Sequence, residues 1–368
     1  MQADPQSDEV CCGPPPAPPS SPLERPGYRL QAYVTGFIDT AAGPVPRVKT
    51  GLDRIDRIGS FAVRLGIRRS GYAIAPGLYA VGRPEASSPI LVSSNYKLSF
   101  DTLRKSLASL DAWILVLDTR GINVWCAAGK NLFSTDELVR RLKHTQLEKI
   151  VTHRQLILPQ LAATGVSARN VKKASGFEVD WGPVRAEDIR EYLSQSNQAS
   201  GAMRRVTFSL IERVVLIPVE ISQSIRPTIG FVIAVFLLSG IGPDIFSWQA
   251  AWQRCGFALS AYICGLLAGA VATPILLPWL PVRAFAAKGA IVGGLLGAGV
   301  TALFSDSLHF LSLAAMLLLT VSVSSFVAMN FTGATPYTSP SGVEKEMRKA
   351  IPLQVAAATV AVVLWTAA

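Results

Sequence analysis

From about residue 227 onward the chain is dominated by long apolar runs with few charges, at roughly 227–243, 255–281, 286–304, 310–330 and 351–367. Each approaches or exceeds the length of about 20 residues that a helix needs to cross the hydrocarbon of a bilayer. The first 200 residues contain no such run and read as ordinary globular sequence. A chain of 368 residues divided in this way is expected to fold as a water-soluble domain followed by an all-α transmembrane domain of about five helices. The expected boundaries are a disordered Pro-rich tail over 1–26, the soluble domain over 27–200, an amphipathic linker helix over 201–226 and the transmembrane domain over 227–368. The linker carries Arg204, Arg205, Arg213 and Arg226 beside apolar residues, a pattern that lies on membrane lipid.

Lys and Arg outnumber Asp and Glu by 35 to 25, a formal charge of +10. No basic stripe interleaved with aromatics appears, so nucleic acid is not an expected partner. Much of the excess flanks the apolar runs: Arg283 and Lys288 in one loop, Lys345, Arg348 and Lys349 in another. The loop at 305–309 has no Lys or Arg, and 244–254 has only Arg254. The positive-inside rule then predicts a multi-pass protein of the inner (cytoplasmic) membrane, with the soluble domain and both basic loops in the cytoplasm. Residues 1–25, with acids and prolines, do not read as a secretory signal.

Within the soluble domain, short apolar runs alternate with helical periodicity. GLYAV (77–81), PILVS (89–93) and KIVTH (149–153) read as strands, and AWILVLD (112–118) as a central one buried on both faces. Helices are expected over 99–110, with Ser99 as N-cap, after a capping box at Ser134 and Glu137, and near 167–175 and 186–194. This alternation predicts an open α/β (Rossmann-like) sheet, in which ligands sit beyond the carboxyl ends of the strands. Residues 118–130 leave the end of the central strand and are therefore where a site is expected.

Several motifs fail there. Gly129-Lys130 lacks the preceding glycine and following hydroxyl of a phosphate loop. GGLLG (293–297) is intramembrane and reads as a helix-packing surface. The three histidines form no metal cluster, and the five cysteines include no CxxC pair. Cys255 and Cys264 lie in an apolar run, as buried small residues do, and Cys11-Cys12 lies in the tail. Cys126 remains, between Trp125 and the small residues Ala127, Ala128 and Gly129. A buried cysteine acting as a small hydrophobe is one reading. The other is a thiolate that ligates a soft metal, with small neighbours that let the backbone approach a flat ligand.

NVWCAAGK (123–130) resembles the cap-helix signature of the mercury-methylating corrinoid protein (HgcA) family. The similarity extends through APGLYAVG (75–82), LVSSNYKLSFD (91–101), THRQLILPQLAATGV (152–166), GFEVDWGPVRAEDI (176–189) and TGATPYTSPSGVEKEMRKAIP (332–352). The soluble part is also similar to the corrinoid domain of the corrinoid iron–sulfur protein of the acetyl-CoA pathway. The resemblance implies a corrinoid (cobalamin-type, cobalt) cofactor, with the Cys126 thiolate as lower axial cobalt ligand. It implies a corrinoid-dependent methyltransferase that passes methyl from methyl-Co(III) to Hg(II), making methylmercury. None of the histidines stands in a DxHxxG motif, the usual source of a lower ligand.

The implied partners are a small ferredoxin with two 4Fe–4S clusters and a methyl-folate-type methyl donor. Asn123, Trp125, Ala127, Ala128, Gly129 and Lys130 would belong to the cap over the corrin ring. Asn95, Lys97, Thr152 and His153 would bind its amide side chains, with strand-end capping as the alternative. Tyr337 and Thr338 would dock the soluble domain or the ferredoxin, or form a plain interhelical loop. Where the family continues GKGTFGT, residues 129–135 read GKNLFST, and Asn131 and Ser134 are expected to keep the turn and the cap. A corrinoid methyl carrier of one-carbon (acetyl-CoA pathway) metabolism and a non-catalytic corrinoid-binding membrane transporter or sensor are the competing functions.

Overall fold

A computed structural model describes residues 31–67, 69–242, 245–331 and 340–368. The Pro-rich tail with Cys11 and Cys12, and the loop residues Tyr337 and Thr338, lie outside the described residues. The chain divides into two compact units. One runs to Val206, and the other comprises Thr207–Ala368 together with Arg64–Gly66.

The first unit opens with a hairpin, β1 (Val34–Thr40) and β2 (Gly43–Val48), followed by α1 (Arg54–Arg64), β3 (Gly77–Val81), β4 (Ile90–Ser94), α2 (Lys97–Ser106) and β5 (Ala112–Leu117). After these come α3 (Val124–Gly129), α4 (Thr135–Thr145), β6 (Gln155–Leu158), α5 (Ala168–Ser175), β7 (Glu178–Trp181) and α6 (Ile189–Ser194). Seven strands form one sheet in the order β1-β2-β3-β5-β4-β6-β7. Strands β3, β4 and β5 are buried along their whole length, as near-continuous apolar runs require when both faces of a sheet are covered. Successive side chains point to opposite faces. Ile90, Val92, Trp113 and Leu115 pack with Ala127, Leu138 and Val171 on one side. Leu91, Ile114 and Val116 pack with Phe100, Leu103 and Tyr192 on the other. Strand β5 runs parallel to β4 and antiparallel to β3, and β4, β6 and β7 are mutually parallel. The carboxyl ends of β4, β5, β6 and β7 thus gather along one edge.

The open α/β sheet expected from the sequence is present, with three local differences. The strand expected over KIVTH is instead β6, over QLIL, while Leu147–Lys149 form a 3-10 turn from which Val151 enters the core. Helix α2 begins two residues before Ser99, and Tyr96 holds its N-cap position. Ser134 caps α4 by accepting from the Glu137 N–H at 3.3 Å, but the Glu137 side chain does not return to complete a capping box. It accepts instead from the Asp118 N–H at the end of β5, at 2.9 Å.

A buried ionic cluster ties α1 to α2. Lys97 donates to Asp56 and to Asp101, both at 2.6 Å, and Arg104 to the same two carboxylates at 2.6 and 2.8 Å. Arg104 is fully buried and also donates to the Lys49 and Gly51 carbonyls that lead out of the hairpin. Burial pushes the Asp56 carboxyl up, yet the bonds from Lys97 and Arg104 outweigh it and hold its pKa at about 2.

The second unit contains a short helix, α7 (Leu210–Val214), and then α8 (Ile217–Gly240), which passes through Arg226 and Pro227 without a break. Helix α9 (Trp248–Leu267) continues through a π-helical turn (Ala268–Ala272) into α10 (Thr273–Leu276). Helices α11 (Phe285–Leu303), α12 (Phe310–Asn330) and α13 (Pro340–Ala367) complete the unit. Among the described residues five segments are long and apolar enough to cross a membrane: Leu210–Gly240, Trp248–Leu276, Phe285–Leu303, Phe310–Asn330 and Gly342–Ala367. Ile225, Ile229, Ile233 and Leu237 form an exposed apolar stripe at every fourth residue of α8. Glycines let the helices meet: a side chain at Gly293 would meet Ser324 at 2.6 Å, and one at Gly297 would meet Thr320 at 3.1 Å.

Replacing one partner of a buried ion cluster leaves the others uncompensated, at a cost of about 3–5 kcal/mol. Arg104→Leu should lower the stability of the first unit by that order, read as a fall in the denaturant midpoint of detergent-solubilised protein. The Asp56 pKa is depressed from 3.8 to about 2, so its contribution is fully present above the unfolded value and is lost as pH falls through the folded one. Unfolding followed between about pH 4 and pH 2 should therefore show a decline in the wild type that is smaller in Asp56→Asn.

Candidate functional site

Strand β5 ends at Leu117, and the turn that follows is held by side chains from two neighbouring elements. The Asn95 side-chain carbonyl, just past β4, accepts from the N–H groups of Thr119 and Gly121 at 3.1 and 2.9 Å. Its amide donates to Asp118 Oδ1 at 3.2 Å. The Thr119 hydroxyl donates to the Ile122 carbonyl at 2.7 Å. Arg120 and Gly121 both take left-handed backbone conformations, φ 56° and 73°, which turns the chain sharply back over the end of the sheet.

The chain then enters α3. Asn123 is its N-cap, and the Asn123 side chain accepts from the Cys126 N–H at 2.9 Å. Ala127 and Ala128 face the core at 0% and 4% exposure. Gly165 passes so close beneath that a side chain there would meet the Ala128 backbone at 3.0 Å. The Ala127 carbonyl accepts from the N–H groups of Leu132 and Phe133, and Phe133 is fully buried. Cys126 is exposed, as is Gly129 three residues on, where a Cβ would meet nothing within 4 Å. Positions three and four apart share a helix face, so Asn123, Cys126, Gly129 and Lys130 line one side, with Trp125 half-buried beside them.

The small residues after the cysteine therefore serve two purposes. Ala127 and Ala128 let α3 sit down on the sheet, and only Gly129 clears space beside the thiol. In the loop that follows, Asn131 adopts a left-handed φ of 55°, and Ser134 caps α4. Asparagine tolerates that conformation better than most residues other than glycine.

The remaining sequence-derived candidates are placed less favourably. Asn95 lies at the same edge as Cys126, but its polar atoms hold the turn. The Lys97 ammonium lies in the ionic cluster with Asp56 and Asp101 and faces the Tyr33 and Tyr72 rings. Thr152 and His153 precede β6 and bond to the carbonyls of Ala86 and Ser88, which precede β4. They belong to the amino ends of these strands, and the structure does not bring them together with Cys126. Pro159 and Gly182, by contrast, follow the carboxyl ends of β6 and β7.

Ser94, at the end of β4, was not singled out from the sequence. Its hydroxyl is fully buried and has no hydrogen-bond partner, and its side chain points to the face that α3 covers. The signal for it was the run of polar residues, Ser93-Ser94-Asn95, interrupting a buried strand. A cleft of about 560 Å³ lined by Arg47, Lys49, Arg83 and Asp111 lies at the other end of β5 and shares no residue with this site.

These features suit a flat ligand carrying a soft metal: one exposed thiol, open space at Gly129 and an unpaired buried hydroxyl below. Among the described residues no group of three or more His, Cys, Asp or Glu comes together. A metal at Cys126 would draw its other donors from the ligand.

Comparison with known proteins agrees with one part of the resemblance read from the sequence. Residues 68–193, which include the whole of α3, match the family of the CO dehydrogenase/acetyl-CoA synthase delta subunit. The gamma subunit of the acetyl-CoA decarbonylase/synthase complex of Methanopyrus kandleri is 31% identical over 129 residues, 34% of this chain and 28% of that protein. The Archaeoglobus fulgidus gamma subunit is 28% identical over 130 residues, 35% of this chain and 27% of that protein. A Methanosarcina mazei gamma subunit is 35% identical over 99 residues, 26% and 21% of the respective chains. The chain thus spans about a quarter of the length of these relatives.

Removing the Asn95 side chain strands two buried N–H groups, each worth about 1–3 kcal/mol when unsatisfied. Asn95→Ala should destabilise the first unit by about 2–4 kcal/mol, and amide hydrogen exchange over 119–126 should quicken more than over α5.

Proposed function

We propose that this chain is a membrane-anchored, corrinoid-dependent methyl carrier that delivers methyl to mercury(II), with the Cys126 thiolate as the lower axial ligand of cobalt. The observation that carries this reading is the exposed Cys126 on a helix that closes the carboxyl edge of an α/β sheet, in a chain with five membrane-crossing segments. The bound corrinoid supplies a cobalt centre that carries a methyl group and gives it up to an electrophile.

The protein's own part is positional and electronic. Cys126 would hold the metal and donate electron density to it, a recognised lever on the reactivity of macrocycle-bound metals. Asn123 fixes the backbone of Cys126 through its N-cap bond. Gly129 leaves room for a ring to lie against the helix, and Lys130 and Trp125 border it. Ser94 offers a hydroxyl beneath α3. Mercury(II) is substrate here, a soft electrophile that takes the methyl group. The five cysteines have no cluster spacing, so electrons come from elsewhere, and the resemblance read from the sequence implies a small ferredoxin with two 4Fe–4S clusters as their source. The methyl group is assigned to a methyl-folate-type donor.

A second reading has a specific observation in its favour. The relatives reported above are, by name, subunits of an acetyl-CoA complex, and a methyl carrier of acetyl-CoA-type one-carbon metabolism would use the same corrinoid seat and protein partners. The two readings differ in the acceptor.

Anaerobically purified protein reconstituted with a corrinoid should show a cobalt–thiolate absorption spectrum that Cys126→Ala lacks. Methyl transfer to mercury(II) should fall in that variant by about 100-fold or more, equivalent to about 3 kcal/mol of lost stabilisation. Identical spectra would remove Cys126 as the ligand. A thiolate spectrum without mercury methylation would leave the one-carbon reading.

A further inference from the structure

Helix α1 turns its apolar side outward. Ile55, Ile58 and Phe61 are 72%, 68% and 66% exposed, while Asp56 and Val63 are buried. At 100° per residue, Phe61, Ile58, Ala62 and Ile55 occupy the outward half, with Arg57 and Arg64 along one margin and Arg54, the first residue of the helix, between Phe61 and Ile58. All three arginines are exposed. The one acid of the helix, Asp56, points the other way into the bonds from Lys97 and Arg104. Those bonds also prevent the helix from rolling over to hide its apolar side.

We propose that α1 is a membrane-surface helix, whose Ile55–Ile58–Phe61 face seats in the headgroup region of an anionic bilayer while Arg54, Arg57 and Arg64 hold lipid phosphates. An apolar side with arginines at its margin and at the helix start, and no exposed acid on the helix, is the composition of helices that lie in that interface. Long arginine stems reach from an apolar seat to the phosphates, a geometry a bilayer accommodates readily. The core of a protein–protein interface, by contrast, is depleted of charge. Apolar exposure continues past the end of the helix at Arg64. Ile67 follows, 55% exposed. A bilayer is the apolar surface that a chain with membrane-crossing segments meets. The inference rests on the membrane-crossing segments and not on the methyl-carrier reading.

The test uses the full-length protein in nanodiscs, with the photo-crosslinker benzoylphenylalanine in place of Phe61, or of the exposed Lys143 on α4 as control. After irradiation in discs containing phosphatidylglycerol, mass spectrometry should find a lipid adduct on the peptide carrying position 61 and none at position 143. Yield at position 61 should fall by about threefold or more in discs of phosphatidylcholine alone or in the variant Arg54→Glu/Arg57→Glu. A crosslink from position 61 to another peptide of this chain, or to a second copy, would overturn the proposal. So would a lipid adduct that is indifferent both to lipid charge and to the arginines, or the absence of any adduct while the wild-type circular dichroism is retained.

Discussion

A central strand buried on both faces must dispose of its last backbone groups without water. At the end of β5 three N–H groups, those of Asp118, Thr119 and Gly121, leave the ladder together. Glu137 takes the first and Asn95 the other two. Each left unmade would cost about 1–3 kcal/mol, so the turn has essentially one low-energy path. Glu137 is itself held, by Arg141 at 2.8 Å and by Arg140, so the clamp is anchored in α4 as well as in β4. The direction in which α3 leaves the sheet follows from this clamp, and the direction in which Cys126 faces follows from α3.

A helix of six residues has no stability of its own. It persists because one side is bound into the core through Ala127, Ala128 and the Phe133 that follows, with Gly165 close beneath. The same anchoring presents the opposite side to solvent. A larger residue at 127 or 128 would lift the helix, whereas a change at 129 would fill only open space. Rigidity and access are thus separated between adjacent residues, as a preorganised ligand seat requires.

This separation also sets how much of the protein was legible beforehand. Strands β3, β4 and β5 were visible because burial on both faces writes an unbroken apolar run, and α4 because Ser134 precedes its periodicity. The hairpin was not, because Pro44 and Pro46 argue against a strand. They are tolerated because β2 pairs with β3 only through Arg47 and Val48, leaving the proline positions bonded on one side alone. Reading β6 over 149–153 put Thr152 and His153 at a carboxyl end. With the strand at Gln155–Leu158 they fall at its beginning, on the far side of the sheet from Cys126. Lys97 looked available because nothing in its own segment announces Asp56, 41 residues earlier, as its partner. Cys126 stood out by residue type and position. That Ala127 and Ala128 face the core, while Gly129 faces open space, needed the helix phase.

In the second unit, lipid on the outside gives helices no hydrophobic reason to associate, and close packing and interhelical hydrogen bonds must do so. Helix α12 provides them. Thr320 donates to the Ala261 carbonyl of α9 at 3.0 Å or, at 2.9 Å, back to Met316 of its own helix. Ser324 donates to the Gly289 carbonyl of α11 at 2.7 Å, and Ser322 to the Gln354 carbonyl of α13 at 2.8 Å. Gly265, Gly269, Gly289 and Gly293 bring their backbones against the same helix. The buried cations act as helix-end caps: Arg213 donates to the carbonyls of Pro274 and Ile275, and Lys288 to those of Leu277 and Leu280. The unit is thus held together by hydroxyls and glycines gathered on α12, with Arg213 and Lys288 closing helix ends that α12 does not reach.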